Sequence, residues 1–296
     1  MGLLFEGVSA AVTTPFKDGQ LDTKHFEEHL IFLKENNIQA FVINGTTGEA
    51  STLTADEKRQ TIEIAVKVAN KEIPVIAGTG SNNTESSILA SLEAKELGVD
   101  GLLLITPYYN KTTQEGAIAH FTAIADAVED LPIILYDVPA RTGMTLEAET
   151  VAELAKHPNI VGLKDATGDL AHLNRMMNLV DENFAFYSGN DDIVLPFYAL
   201  GGHGLISVVA NVVPEEHQKL YELAKTEPTE AKKLNNILFP FSDRIGEDLN
   251  PISIKAVVSH LGFGDYEVRL PLVTLEDQIV EELIKSYETL KKGMNN

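Results

Sequence analysis

Short apolar runs alternate along the chain with longer stretches in which hydrophobic residues recur every three or four positions. The runs are rich in β-branched side chains and nearly free of polar ones, which is typical of strands buried on both faces of a parallel sheet. Eight such strands are predicted, at residues 8–12, 40–43, 75–77, 101–105, 133–136, 160–163, 184–187 and 204–208.

Each of the first seven runs is followed by a segment with helical spacing, for example Ile62, Ala65 and Ala69 after the second run. Thr54 and Glu57 predict a capping box at the start of that helix. Strands that alternate with helices indicate βαβ units in a parallel sheet. Eight units predict a fold of the α/β class, the closed (β/α)8 or TIM barrel.

The chain continues well beyond the eighth strand, and its periodicity predicts four more helices. These lie at residues 215–225, 229–246, 252–261 and 274–292. The first closes the barrel, and the others form a C-terminal helical extension. We therefore expect a barrel over residues 1–225 and an extension over residues 226–296.

A doubly wound sheet is the competing fold, but its dinucleotide fingerprint requires glycines directly after the first strand. That position holds Thr13-Thr14-Pro15-Phe16, and Gly78-Thr79-Gly80 after the third strand lacks the third glycine. No P-loop pattern occurs either. Nucleotide cofactors are therefore not expected.

The composition narrows the class of protein. The 44 acidic and 23 basic side chains give a net charge of -21 without a basic cluster, which argues against nucleic-acid binding. The absence of cysteine excludes thiolate chemistry and fits a reducing compartment.

The N-terminus lacks a signal-like pattern, and no run is long enough to span a membrane. We expect a cytoplasmic protein that does not bind membranes.

His25-Phe26-Glu27-Glu28-His29 matches a zinc signature of the form H-x-x-E-H. It lies on the first outer helix, away from the predicted mouth of the barrel. Two histidines at helical spacing among acidic residues are more typical of a solvated helix face. No metal is predicted.

Functional groups of a parallel barrel lie where its strands end, so the residues that follow each run are the candidates. Lys164 ends the sixth strand, and the loop after the second strand contains Thr46 and Thr47 between glycines, an arrangement suited to a small carboxylate. The other candidates at this end are Tyr108, Tyr109, Tyr136, Arg141, Gly189 and Ile206.

These side chains indicate imine chemistry on an acidic substrate. Burial of Lys164 in an apolar barrel disfavours its ammonium form, and a neutral amine can attack a ketone to form a Schiff base. Tyrosines can relay protons, and the planar fork of Arg141 matches a carboxylate. A covalent intermediate on Lys164 removes the need for a cofactor.

Four motifs in order carry a family resemblance: Gly45-Thr46-Thr47-Gly48-Glu49, Tyr108-Tyr109-Asn110, Tyr136-Asp137-Val138-Pro139-Ala140-Arg141-Thr142-Gly143 and Lys164-Asp165-Ala166-Thr167. Together they resemble the dihydrodipicolinate synthase family of pyruvate-dependent class I aldolases. The likeness extends from Phe5 to beyond Leu272.

The resemblance implies a lyase of lysine and diaminopimelate synthesis that condenses pyruvate with L-aspartate 4-semialdehyde. It implies that Lys164 forms the Schiff base and that Thr47 binds the pyruvate carboxylate. Tyr136 would donate and accept protons through Thr46 and Tyr109, and Arg141 would position the semialdehyde. Gly189 and Ile206 complete the expected substrate site. Tyr109 would reach the neighbouring subunit, so a homodimer or a homotetramer built as a dimer of dimers is expected.

Two alternatives stay open at this stage. A sugar-acid lyase of the same superfamily, such as an N-acetylneuraminate lyase or a 2-keto-3-deoxygluconate aldolase, would share Lys164 and Tyr136, but Arg141 argues against it. A non-catalytic barrel that binds a keto acid has no need of an unpaired buried amine, which is costly to keep.

The resemblance also bears on regulation. Lysine-inhibited relatives carry histidine and glutamate where this chain has Lys58 and Ser86. A cation at Lys58 repels a lysine effector. Weak or absent feedback inhibition by lysine is therefore expected.

Overall fold

Eight parallel strands form a closed barrel in the computed structural model, which describes residues 3–294. The strands are β1 (Gly7–Ala11), β2 (Phe16–Lys17), β3 (Gln20–Leu21), β4 (Ala40–Ile43), β5 (Val75–Gly78), β6 (Gly101–Ile105), β7 (Ile133–Asp137), β8 (Ile160–Asp165), β9 (Ala185–Ser188) and β10 (Gly204–Ser207). The barrel contains β1 and β4 to β10, while β2 and β3 pair as a small antiparallel hairpin that the apolar pattern did not predict. The predicted TIM barrel is confirmed.

Helices connect the barrel strands and continue beyond them. They are α1 (Thr23–Glu35), α2 (Ala55–Ala69), α3 (Thr84–Glu96), α4 (Gln114–Val128), α5 (Pro139–Thr142), α6 (Ala148–Leu154), α7 (Leu170–Met177), α8 (Val194–Ala199), α9 (Pro214–Thr226), α10 (Pro228–Gly246), α11 (Ile252–His260) and α12 (Asp277–Met294). The capping box of α2 is present, because Thr54 and Glu57 each accept a hydrogen bond from the other's backbone N–H. The four C-terminal helices are confirmed, whereas the boundary at residue 225 stays a prediction.

The N-terminal end of the barrel is filled by aromatic side chains. Phe5, just before β1, stacks on Tyr187 with a ring separation of 4.4 Å. The Tyr187 hydroxyl also donates a hydrogen bond to the Phe5 carbonyl at 2.9 Å. Small and branched residues, among them Val42 and Ile134, fill the interior above this pair. These side chains fill the N-terminal end of the barrel, so we look for the active site at its C-terminal end.

The C-terminal extension is joined to the loop after β4 by a buried ion pair. The ammonium of Lys255 lies 2.5 Å from the Glu49 carboxylate, and both side chains are almost completely buried. The backbone N–H of Arg269 donates to the other Glu49 oxygen at 2.9 Å. Lys255 and Arg269 lie 4.2 and 4.1 Å from the centre of the Phe16 ring. These contacts fix the extension against the rim that carries the predicted site.

The two histidines of the zinc-like pattern have separate partners. His25 binds the Asp22 carboxylate at 2.6 Å, and His29 contacts the Asn211 carbonyl at 2.9 Å. The expectation of a solvated face is wrong for His29, which is completely buried because α1 packs this position against the barrel. Burial lowers the pKa of His29 to about 4, so it is neutral at pH 7.

Two further findings concern residues 3–294. No group of three or more histidine, aspartate or glutamate side chains in this range is placed to hold a metal ion. None of the helices in the range combines the length and apolar character needed to cross a membrane.

Candidate active site

Lys164 lies near the C-terminal end of β8 with its side chain inside the barrel. In the sheet register it is paired with Tyr136 of β7, so the two side chains leave their strands in the same direction. The Lys164 ammonium nitrogen lies 4.3 Å from the centre of the Tyr136 ring. Parallel pairing therefore places the predicted nucleophile beside the predicted proton donor.

A glycine makes room for this lysine. A Cβ atom built on Gly189 would lie 2.8 Å from the Ala166 Cβ and 3.1 Å from the Lys164 Cε. The first separation is an overlap and the second is a tight contact, so a larger residue at position 189 would force Ala166 to shift and would crowd the Lys164 side chain. Gly189, predicted to contact substrate, thus also shapes the space that Lys164 occupies.

The surroundings of Lys164 favour a neutral amine. The residue is only 6% exposed, and its nitrogen lies over the Tyr136 ring without a hydrogen-bond or ion-pair partner within residues 3–294. Burial lowers the pKa of Lys164 to about 8, while the Asp191 carboxylate opposes the shift. About half of the amine is therefore unprotonated at pH 8, compared with less than about 1% for an ordinary lysine.

Tyr136 is also buried, but burial raises its pKa, whereas it lowers the pKa of Lys164. Burial raises the pKa of Tyr136 to about 12, partly offset by the positive charge of Arg141 and reinforced by Asp137. The phenol therefore keeps its proton at neutral pH. A protonated phenol beside an amine that loses its proton readily is suited to donate a proton to an oxygen that leaves as water.

The loop after β4 places the two threonines at the mouth of the barrel. Thr47 is buried, and its hydroxyl accepts a hydrogen bond at 3.0 Å from the side-chain amide of Asn250. Thr46 is partly exposed, and its hydroxyl makes no hydrogen bond to Tyr136 or Tyr109 within residues 3–294. The relay through Thr46 therefore stays a prediction.

Tyr109 does not lie in the site of its own chain. Its side chain is 92% exposed, and its backbone adopts a left-handed conformation with φ of 66°. A tyrosine in that conformation is strained by about 1–2 kcal/mol. A large aromatic side chain directed into solvent on a strained backbone agrees with the expectation that it enters a neighbouring subunit.

Arg141 belongs to the short helix α5, which follows β7 and ends at Gly143 in a left-handed conformation. Its guanidinium is exposed at the mouth and donates a hydrogen bond to the Asn250 carbonyl at 3.3 Å. Most of its hydrogen-bonding capacity is therefore left for an acidic ligand. Ile206, in contrast, is completely buried within β10.

A pair of carboxyl groups lies on the opposite face of the same strands. Asp137 and Asp165 are paired in the register of β7 and β8, one residue beyond Tyr136 and Lys164. One Asp137 oxygen accepts the Leu146 N–H at 2.9 Å, whereas the other is buried without a partner. Burial raises the pKa of Asp137 to about 7, and the charge of Asp165 adds to the shift.

We predict that Asp137→Asn stabilises the protein at alkaline pH. The pKa of Asp137 is about 7 in the fold against 3.8 for an ordinary aspartate. Between these values the folded protein holds a proton that the unfolded chain has released, so stability falls as pH rises from about 4 to 7 and the full loss is present above pH 7. Melting temperatures should show a gain of several degrees for the variant at pH 8 and a much smaller one at pH 4.5. Equal gains at both pH values would contradict the titration of Asp137.

Sequence reasoning missed two residues of this region. Asn250 and Lys255 lie more than a hundred residues from the strands they contact, and no local pattern marks them. The segment Asn250-Pro251-Ile252 also fits the family that the sequence resembles, and this is the signal that could have indicated Asn250. Their positions depend on how the extension folds back on the barrel.

The sequence as a whole is similar to proteins of one family. It matches the profile of the Dihydrodipicolinate synthetase family over residues 4–290. It is 55% identical over 293 residues to the 4-hydroxy-tetrahydrodipicolinate synthase of Macrococcus caseolyticus, with 99% of each chain covered.

Solved structures show the same similarity. The chloride-inhibited dihydrodipicolinate synthase of Acinetobacter baumannii in complex with pyruvate is 41% identical, with a TM-score of 0.94 and coverage of 98% of this chain and 99% of that chain. The dihydrodipicolinate synthase of Cyanidioschyzon merolae with lysine bound is 37% identical, with a TM-score of 0.94 and coverage of 97% and 99%.

Proposed function

Because the chain belongs to the dihydrodipicolinate synthetase family, we propose that Lys164 forms a Schiff base with pyruvate and that the enzyme joins this imine to L-aspartate 4-semialdehyde. The protein is a Schiff-base-forming lyase of lysine and diaminopimelate biosynthesis, and its product is 4-hydroxy-tetrahydrodipicolinate. The similarity to a synthase at 55% identity supports this function rather than that of a sugar-acid lyase.

The observation that carries the proposal is the contrast between the two buried lysines. Lys255 is paired with Glu49, and its ammonium is held in place by that carboxylate. Lys164 has no such partner, and burial lowers its pKa to about 8. A nucleophilic amine must lose its proton and approach a carbonyl carbon, and among these two lysines only Lys164 is placed to do so.

The reaction uses the site in four steps. The Lys164 amine adds to the pyruvate ketone, and loss of water gives the imine. The imine acidifies the methyl group, and removal of a methyl proton gives an enamine. The enamine carbon attacks the aldehyde of the second substrate. Finally, the α-amine of that substrate displaces Lys164 as the ring closes, which frees the enzyme.

The remaining side chains position the substrates and move protons. The Thr47 hydroxyl binds the pyruvate carboxylate, and Arg141 binds the semialdehyde carboxylate at the mouth. Gly189 and Ile206 shape the wall of the substrate site. Tyr136 exchanges protons with the intermediates.

The chain acts as a homo-oligomer whose smallest complete unit is a dimer. Tyr109 of one protomer completes the relay of Tyr136 and Thr46 in the next. Its 92% exposure and strained backbone support this arrangement. A dimer of dimers is compatible with it.

The test is an intact-mass measurement with peptide mapping after incubation with pyruvate and borohydride. One reduced pyruvyl adduct, located on Lys164, is expected, and the untreated enzyme should turn over pyruvate with L-aspartate 4-semialdehyde. An adduct on Lys255 or no adduct at all would overturn the proposed mechanism. An adduct on Lys164, combined with an untreated enzyme that cleaves sialic acid but does not consume the semialdehyde, would favour the sugar-acid lyases.

Feedback inhibition by lysine is expected to be weak or absent. Lys58 is a cation on the outer helix α2, and its charge disfavours a second ammonium group nearby. The similar enzyme of Cyanidioschyzon merolae has lysine bound, so it is a reference for the lysine response of this chain. Steady-state rates measured against lysine concentration test the expectation, and an inhibition constant below about 1 mM would contradict it. A Lys58→His variant should bind lysine more tightly than the unmodified enzyme if the charge is responsible.

A further inference from the structure

Asn250 connects the two residues that bind the substrate carboxylates. Its side-chain Nδ2 donates a hydrogen bond to the Thr47 hydroxyl at 3.0 Å. Its backbone carbonyl accepts one from the Arg141 guanidinium at 3.3 Å. Thr47 follows β4 and Arg141 follows β7, so a single residue before α11 contacts two different parts of the rim.

The direction of the Asn250–Thr47 hydrogen bond determines whether the Thr47 hydroxyl can donate its proton to a ligand. A hydroxyl has one proton to donate and two lone pairs that accept. Because Thr47 accepts from Asn250 and no other acceptor within residues 3–294 takes its proton, that proton is available to a ligand. A carboxylate accepts hydrogen bonds and donates none, so it requires a donor at this point.

The alternative orientation of the amide would remove this donor. Asn250 Oδ1 is buried without a partner, which costs free energy. Rotation of the amide by half a turn would satisfy that oxygen with the Thr47 proton, but the hydroxyl would then offer only lone pairs to a substrate anion. The observed orientation therefore carries a cost that is offset when an anion binds.

Buried contacts of Lys255 and Glu49 hold the segment around Asn250 close to the threonine loop. The Lys255 ammonium, five residues further along, lies 2.5 Å from Glu49, two residues beyond Thr47. The Glu49 carboxylate also accepts the Arg269 N–H at 2.9 Å. These buried contacts hold the threonine loop and the start of α11 at a constant separation, so the amide of Asn250 reaches Thr47 without rearrangement.

We propose that Asn250 is a positioning residue for the reaction, which directs the Thr47 hydroxyl proton toward the carboxylate of pyruvate and retains Arg141 at the mouth. The proposal rests on the proposed function, since it assigns the anion at Thr47 to pyruvate. Its action is confined to the binding of the two substrates, because Asn250 makes no hydrogen bond to Lys164 or Tyr136 in the described residues.

The test compares Asn250→Ala and Asn250→Asp with the unmodified enzyme. We expect the KM for pyruvate to rise about tenfold in the alanine variant and further in the aspartate variant, whose carboxylate accepts the Thr47 proton and repels the substrate anion. The kcat should change by less than about threefold, since the hydrogen bond is made before the chemical steps. Asn178→Ala, which removes an exposed amide directly after α7, is the matched control and should leave both constants unchanged.

A double-variant comparison separates positioning from a general structural role. In a Thr47→Val background the Asn250→Ala change should have no further effect on the pyruvate concentration that gives half-maximal borohydride adduct, because no hydroxyl remains to orient. In a Thr47→Ser background the effect should return. Equal effects in both backgrounds, or an unchanged KM in Asn250→Ala, would overturn the proposal. Failure of the unmodified enzyme to form any pyruvyl adduct would instead refute the function on which it rests.

Discussion

Replacement of Lys164 by methionine is expected to lower kcat by at least about 10⁴-fold and to abolish the borohydride-trapped pyruvyl adduct. Methionine has nearly the length of lysine and no amine, so the barrel interior stays filled while the nucleophile is lost. The unmodified amine is buried without a partner, so its removal should not destabilise the fold. Steady-state assays, intact mass and melting temperature together measure all three effects.

Lys255, the other buried lysine, is still present in Lys164→Met, so this variant shows whether another amine can form the adduct. If an adduct persisted in Lys164→Met, the nucleophile would lie elsewhere and the assignment would fail. Lys164→Arg tests whether charge alone suffices, since a guanidinium stays protonated and cannot form the imine. We expect it to be as inactive as the methionine variant, and rapid turnover by either variant would contradict Schiff-base chemistry at this position.

Replacement of Lys255 by methionine is expected to destabilise the protein by about 3–5 kcal/mol, because it leaves the Glu49 carboxylate buried without its counter-charge. Burial lowers the pKa of Lys255, and the Glu49 charge opposes that shift, so the carboxylate helps to keep the lysine protonated. Denaturant unfolding monitored by circular dichroism measures the loss. A reversible transition is needed for a free energy, and the thermal midpoint serves otherwise.

A double variant shows whether the pair itself is responsible. Lys255→Met combined with Glu49→Gln removes both charges, so it should recover a large part of the stability lost in Lys255→Met alone. Lys225→Met is the matched surface control, since Lys225 forms an ion pair with Glu6 in which both side chains are about half exposed. That change should alter stability by less than about 1 kcal/mol. Additive losses in the double variant would contradict coupling between Lys255 and Glu49.

The barrel could be predicted because its strands are apolar and regularly spaced. Each barrel strand is buried on both faces, so its sequence is a largely apolar run, as in Ile133–Asp137. The β2–β3 hairpin escaped prediction because each of its strands has only two residues, too few to show an alternation. The burial of His29 was missed because two glutamates precede it and suggested a solvated face, although Phe26, Leu30 and Leu33 share its buried face.

The site was partly predictable for a geometric reason. In a parallel barrel the ends of all strands meet on one rim, so Lys164, Tyr136 and Thr47 could be grouped without knowledge of their coordinates. The surroundings that set the pKa of Lys164 and of Asp137 depend on three-dimensional packing. Asn250 belongs to a segment far along the chain, and its hydrogen bond to Thr47 required the fold of the extension to be known.

Among the residues that the structure describes, the aromatic pair of Phe5 and Tyr187 fills the N-terminal end of the barrel and leaves a well that opens at the C-terminal end. Both substrates and the product pass through the same mouth, and Lys164 lies deeper in that well than Arg141, which is exposed at the mouth. With the role proposed for Arg141, the ketone must arrive first, because an aldehyde substrate held by that arginine would lie between the mouth and Lys164. An excess of the second substrate would then slow the enzyme instead of saturating it, and the order of arrival is imposed by the closed floor of the barrel.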